Sequence, residues 1–120
     1  MPRPVLAALV LTVLAHPAAA AEKRVWRVDS VVATQAGGTV VVEVKGAVQS
    51  GGWNRPRLKA SHGDAHTLVV EFVAQAPSPS AVVIDGLLPV TAKITINAAH
   101  GAVTVRALGQ ANEVTAQILH

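Results

Sequence analysis

The sequence predicts an all-β chain: a single antiparallel β-sandwich of immunoglobulin-like type with about seven strands. Three observations carry that expectation. Apolar residues recur with period two, in runs dominated by valine, isoleucine and threonine, as in half-buried strands. Turn signals divide those runs at intervals of roughly ten residues, the spacing of an antiparallel sandwich or barrel. Beyond residue 21, no apolar stripe of helical period persists for three turns. The immunoglobulin-like label rests on strand count and domain length, because the chain has no cysteine to form an inter-sheet bridge.

Residues 1–21 read as an export signal. Arg3 supplies a positive start, VLAALVLTVLA (Val5 to Ala15) an apolar run, and AAAA a small-residue tract before a cleavage point at Ala21 or Glu22. Those eleven apolar residues would rise only about 16 Å as a helix, roughly half a bilayer core, so an export signal is preferred to a membrane anchor. The domain is expected over residues 22–120, exported to the periplasm or secreted, with no membrane span.

The first expected strand, KRVWRVDSVVA, buries Val25 or Trp26 depending on register, and a bulge at Asp29-Ser30 would let both of its ends bury. In TVVVEVKGAV, Val40, Val42, Val44 and Val48 share the inner face, with Val41, Glu43 and Lys45 outside. The segment RPRLK follows the turn at Gly51-Gly52. Pro56 cannot donate to a ladder, so this segment is expected at a sheet edge, anchored by Leu58. In HTLVVEFVAQ, Leu68, Val70, Phe72 and Ala74 are placed inside, and Thr67, Val69, Glu71 and Val73 outside. The remaining runs are AVVIDG with Val82 and Ile84 inside, TAKITIN with Ala92, Ile94 and Ile96 inside, GAVTVRAL with Val103, Val105 and Ala107 inside, and EVTAQIL with Val114, Ala116 and Ile118 inside. Asp85-Gly86 reads as a turn between two of them.

Composition narrows the function. Without Arg3 the chain carries nine Lys/Arg against seven Asp/Glu, a net charge of about +2. Two tryptophans, one phenylalanine and no tyrosine give no stacking platform interleaved with basic residues, so nucleic-acid binding is not expected. Absence of cysteine removes thiol chemistry and thiolate metal sites. Ser61, His62 and Asp64 contain the letters of a triad, but sequence neighbours rarely reach triad geometry, and no nucleophile elbow is present. No enzymatic activity is expected.

Unusual chemistry concentrates in SGGWNRPRLKASHGDAH, Ser50 to His66. Trp53 either plugs one end of the core or, with Arg55 and Arg57 beside it, recognises a partner. His62, Asp64 and His66 alternate, so in extended backbone they share a face and form a candidate zinc or copper site, with His100 as a possible fourth ligand. The competing reading makes Asp64 a turn residue accepting backbone N–H bonds. No other cofactor is expected.

GGWNRPRL, followed some ten residues later by LVVEFVAQAP, resembles a group of small bacterial exported β-domain proteins with a GGW-x-x-P-R-L turn and no assigned function. VTVRA (Val103, Val105) matches the V-x-V strand near their C-termini. The resemblance, over about Val40 to Ala107, implies a single β-domain in the periplasm and supplies no catalytic residue. These readings together predict a non-enzymatic binding or structural module with a protein partner, met by the loops around Trp53 or by an edge strand, Arg55 to Ala60 or Glu113 to Leu119. The alternative is a metal-binding protein using the His-x-Asp-x-His loop.

Overall fold

A computed structural model describes residues 21–61, 63, 64, 66–97 and 102–120. Eight strands follow in order: β1 (Glu22–Arg24), β2 (Arg27–Ala36), β3 (Thr39–Ser50), β4 (Asn54–Ser61), β5 (Thr67–Gln75), β6 (Asp85–Asn97), β7 (Thr104–Leu108) and β8 (Glu113–Leu119). Among the described residues there is no helix, so none long and apolar enough to cross a membrane.

The strands form one continuous sheet, running β5-β7-β8-β2-β3-β6. β1 and β7 lie along one edge of β5, pairing with its second and first halves. β4 pairs with residues from both halves, so it must occupy the opposite edge. The sheet curls until its two outermost strands, β4 and β6, approach one another, giving a half-barrel in place of two separate facing sheets. Nor is the pairing purely antiparallel: β5 with β7 and β2 with β8 are parallel. The expected edge at Glu113 to Leu119 is also corrected, because β8 sits between β7 and β2. Alternation specifies which side chains share a face, and it is silent about which strand lies alongside.

Core formation follows the alternation closely in β3, where Val40, Val42, Val44 and Val48 are buried. β2 needs a correction of phase. Val28 and Val31, both buried, are three residues apart and would face opposite ways on a regular strand. A bulge between Val28 and Ser30 inserts Asp29 and returns both to the core. Gly46 pairs with Val28, and any Cβ there would collide with the Arg27 carbonyl oxygen and approach Phe72 Cε2 to 3.1 Å. Only glycine fits. The bulge is gripped from the other side by Asn112, whose Oδ1 accepts the Val28 N–H at 2.8 Å and whose Nδ2 donates to the Val28 carbonyl at 2.9 Å. Nearby, Gln110 and Ala111 N–H groups bond to the carbonyls of Val25 and Trp26, securing the chain where it passes from β1 to β2.

Five inside–outside expectations are overturned. Val69 and Val73, expected to face solvent, are buried. β5 is a central strand: Val73 lies between Arg24 and Arg57 in register, and Gly63 packs closely over Val69. Val82 and Ile84, expected inside, are 100% and 83% exposed, and Val103 is 52% exposed. Finally, Asp85-Gly86 does not separate two strands but opens β6, with Gly86 at φ 147°.

Candidate functional site

The β3–β4 connection is built on glycine. Gly51 N–H donates to the Ile84 carbonyl at 2.8 Å, tying the turn to the segment before β6. Gly52 has φ 88°, and a Cβ there would come within 2.9 Å of both Pro77 Cβ and Val83 Cγ1. The next residue, Trp53, is half-buried and packs against the core.

Beyond Trp53, β4 runs irregularly along β5. Asn54 pairs with Gln75 and Arg57 with Val73, leaving Arg55 and Pro56 without cross-strand partners. Arg55 takes up the irregularity by adopting φ 54°, the only positive φ at a described residue other than glycine. That conformation costs about 1–2 kcal/mol for a side chain with a Cβ. Leu58 is buried, as expected of the inward anchor of an edge strand.

The two arginines beside Trp53 have different fates. Arg57 binds Glu22, with Nε 2.7 Å and Nη2 2.5 Å from Oε2, and Lys59 Nζ lies 3.1 Å from Oε1. These donors, Arg57 first and Lys59 second, hold the Glu22 carboxyl below its usual range. Arg55 makes no ion pair or side-chain hydrogen bond among the described residues and stands exposed beside a polar cleft of about 310 Å³ lined also by Glu22, Arg57 and Gln75. It is a cation held out to solvent.

A second cleft, of about 350 Å³, is apolar and lined by Gly51, Gly52, Val82, Val83, Ile84 and Leu88. It includes the most exposed large apolar side chains of the described chain, Val82 and Ile84, and β6 adds Leu88 at 44%. Sequence reasoning missed this feature by treating AVVIDG as a strand. A signal was present. Pro77 and Pro79 remove two donors just upstream, and Ala81–Ile84 form no ladder before Ser50 pairs with Asp85.

In the histidine loop, Asp64 acts as a turn residue. Its Oδ1 accepts the His66 N–H at 2.8 Å, and this bond leads the causes that lower the Asp64 pKa. The His66 carbonyl accepts N–H bonds from Val103 and Thr104, linking the loop to β7. His62 and His100 lie outside the described residues, and among the described residues no three His, Cys, Asp or Glu side chains gather as a metal site.

Comparison with protein-family models, with curated proteins and with solved structures finds no match for this chain. The local chemistry is therefore the ground for any functional reading.

Proposed function

We propose that the chain is an exported, non-enzymatic binding module of the bacterial periplasm, meeting a protein partner at its Trp53 end. Residues 1–21 serve as the export signal in this reading. The group of exported proteins sharing the GGW-x-x-P-R-L turn is its natural company. An immunoglobulin-like label is supported by the way the β4-β5-β7 and β2-β3-β6 wings close over a common core, although they belong to one curled sheet.

One observation carries the reading: Val82, Ile84 and Leu88 line one cleft and stand exposed there, while most other large apolar side chains of the described residues pack inward. Each apolar side chain of this size left exposed forgoes roughly 1.5–3 kcal/mol of burial, and clustered exposure marks an interaction surface. Four of the seven described carboxylates, Glu22, Asp29, Glu71 and Glu113, lie in ion pairs.

Site-specific photocrosslinking in the exporting cell tests the proposal. A probe at Ile84 is expected to give a discrete protein adduct, and a probe at Val103, exposed but distant in sequence, to give none. Equal labelling from both positions, or no adduct from Ile84, would refute it.

A further inference from the structure

The polar cleft collects hydrogen-bond donors that the fold leaves unused. Glu22, Arg55, Arg57 and Gln75 line it together. Among the described residues, the Arg55 guanidinium and the Gln75 amide make no side-chain hydrogen bond or ion pair. Arg57 commits Nε and Nη2 to Glu22, and its Nη1 is left over. The carboxylate in the cleft is already answered on both oxygens, since Glu22 Oε1 lies 3.1 Å from Lys59 Nζ.

Strand register explains why positive charge gathers here. Glu71, Val73 and Gln75 alternate along β5 and so share a face. Glu22 stands opposite Gln75, Arg24 and Arg57 flank Val73, and Lys59 stands opposite Glu71, which puts all of them on that face. With Arg55, which lines the cleft, four cations meet two carboxylates. Their net charge of +2 equals that of residues 22–120 as a whole, so the rest of the domain is balanced. Arg55 also holds φ 54°, and no contact of its own side chain offsets the strain. Strained residues of this kind cluster at ligand clamps.

Charge and donor arrangement select the ligand. A carboxylate carries one charge on two coplanar oxygens, which a single guanidinium satisfies through two parallel N–H bonds. A phosphate group carries about −1.5 to −2 on three strong acceptor oxygens, so it can take donors from separate side chains. Two guanidiniums, an amide and a local charge of +2 suit the phosphate. At about 310 Å³ the cleft lies at the small end of the roughly 300–1,000 Å³ typical of ligand sites, which favours an ion or a small monoester.

We infer that this cleft binds a phosphate group, free or as a monoester, through Arg55, Arg57 Nη1 and Gln75. Glu22 is a positioning residue that fixes the Arg57 guanidinium. The site goes beyond the proposed protein contact and shares no lining residue with the apolar cleft.

The test is a titration of the isotope-labelled chain, purified from the exporting cell, in phosphate-free buffer at fixed ionic strength. Inorganic phosphate and methyl phosphate are the probes, with acetate as the planar monoanion. Either phosphate should saturate at millimolar concentration and shift the Arg55 Nε–H and the Gln75 side-chain amide signals. Acetate should bind at least about tenfold more weakly, for want of one charge-assisted contact. Tighter binding of methyl phosphate assigns an esterified ligand, and the reverse order assigns the free ion. Arg55→Asn keeps a residue that tolerates positive φ and should weaken phosphate about three- to tenfold. Gln75→Ala, which removes only an amide, should weaken it about two- to tenfold. Lys93→Gln removes the same charge as Arg55→Asn from β6, outside the cleft lining, and should leave binding unchanged. Equal weakening by Lys93→Gln and Arg55→Asn would reduce the effect to general electrostatics and overturn the inference. So would equal affinity for acetate and phosphate, shifts confined to other surfaces, or no saturation at tens of millimolar phosphate. None of these results bears on the Ile84 adduct, so the phosphate site and the protein contact fail separately.

Discussion

Replacing Gly46 by alanine tests the junction on which the fold turns. The new Cβ would overlap the Arg27 carbonyl oxygen, a backbone atom that cannot swing aside, and would press on Phe72 Cε2 at 3.1 Å. Relieving the overlap requires β2 to move from β3 on the order of 1 Å, given ordinary contact distances. The residue next to Arg27 is Val28, held by Asn112 through bonds of 2.8 and 2.9 Å. A shift of that size removes both bonds, at about 1 kcal/mol each. Overpacking against Phe72 adds about 1–2 kcal/mol. The total, about 3–4 kcal/mol, is a large share of the roughly 5–15 kcal/mol available to a domain. In urea titration followed by far-ultraviolet circular dichroism, the midpoint should fall by about 2 M, taking a slope near 1.5 kcal/mol/M. Gly38→Ala is the control: no atom lies within 4 Å of its added Cβ, and its stability should stay within about 0.5 kcal/mol. Asn112→Ala should cost about 2 kcal/mol alone, and its combination with Gly46→Ala should fall at least about 1 kcal/mol short of the sum. A midpoint change below about 0.3 M for Gly46→Ala, or strict additivity with Asn112→Ala, would refute the reasoning.

Other outcomes follow from the same geometry. At Arg55, a glycine accepts the positive φ and should leave stability within about 0.5 kcal/mol, whereas a β-branched valine should lose about 1–2 kcal/mol by the same titration. Glu22 and Asp64 both have lowered pKa values, so their stabilisation is complete above the ordinary values of 4.5 and 3.8 and disappears as pH falls through the lowered ones. Thermal melts should therefore show an acid limb below about pH 4.5, and a Glu22→Gln/Asp64→Asn variant should flatten it. Val82→Ser and Ile84→Ser should each alter stability by less than about 0.5 kcal/mol, while Phe72→Ala should cost about 3–5 kcal/mol.

Much of this architecture is legible in residue spacing. The odd interval from Val28 to Val31 announces the β2 bulge, the even interval in Val40, Val42 and Val44 assigns the core face of β3, and Pro56 marks β4 as an edge. The unread part concerns neighbours. Periodicity places Val69 and Val73 outward, yet flanking strands and the Gly63 loop cover them. The parallel pairing of β5 with β7 likewise has no local signal. At the candidate site, the stretch around Trp53 stands out by composition, but composition does not distinguish Arg57 from Arg55. Arg57 meets a carboxylate 35 residues away in sequence, and only the placement of β1 along β5 brings that carboxylate near. The apolar cleft was hidden for a similar reason. Val82 and Ile84 alternate as strand residues do, while the prolines upstream and the register of Ser50 with Asp85 leave them outside the ladder.

The central claim is that this apolar cluster stands open to solvent, and methyl relaxation with a soluble gadolinium chelate tests it most directly. The Val82 and Ile84 methyl signals should broaden strongly while those of Val42, Val44 and Val70 stay sharp. Protection of Ile84 equal to that of Val70, in dilute protein shown to be monomeric, would contradict the account.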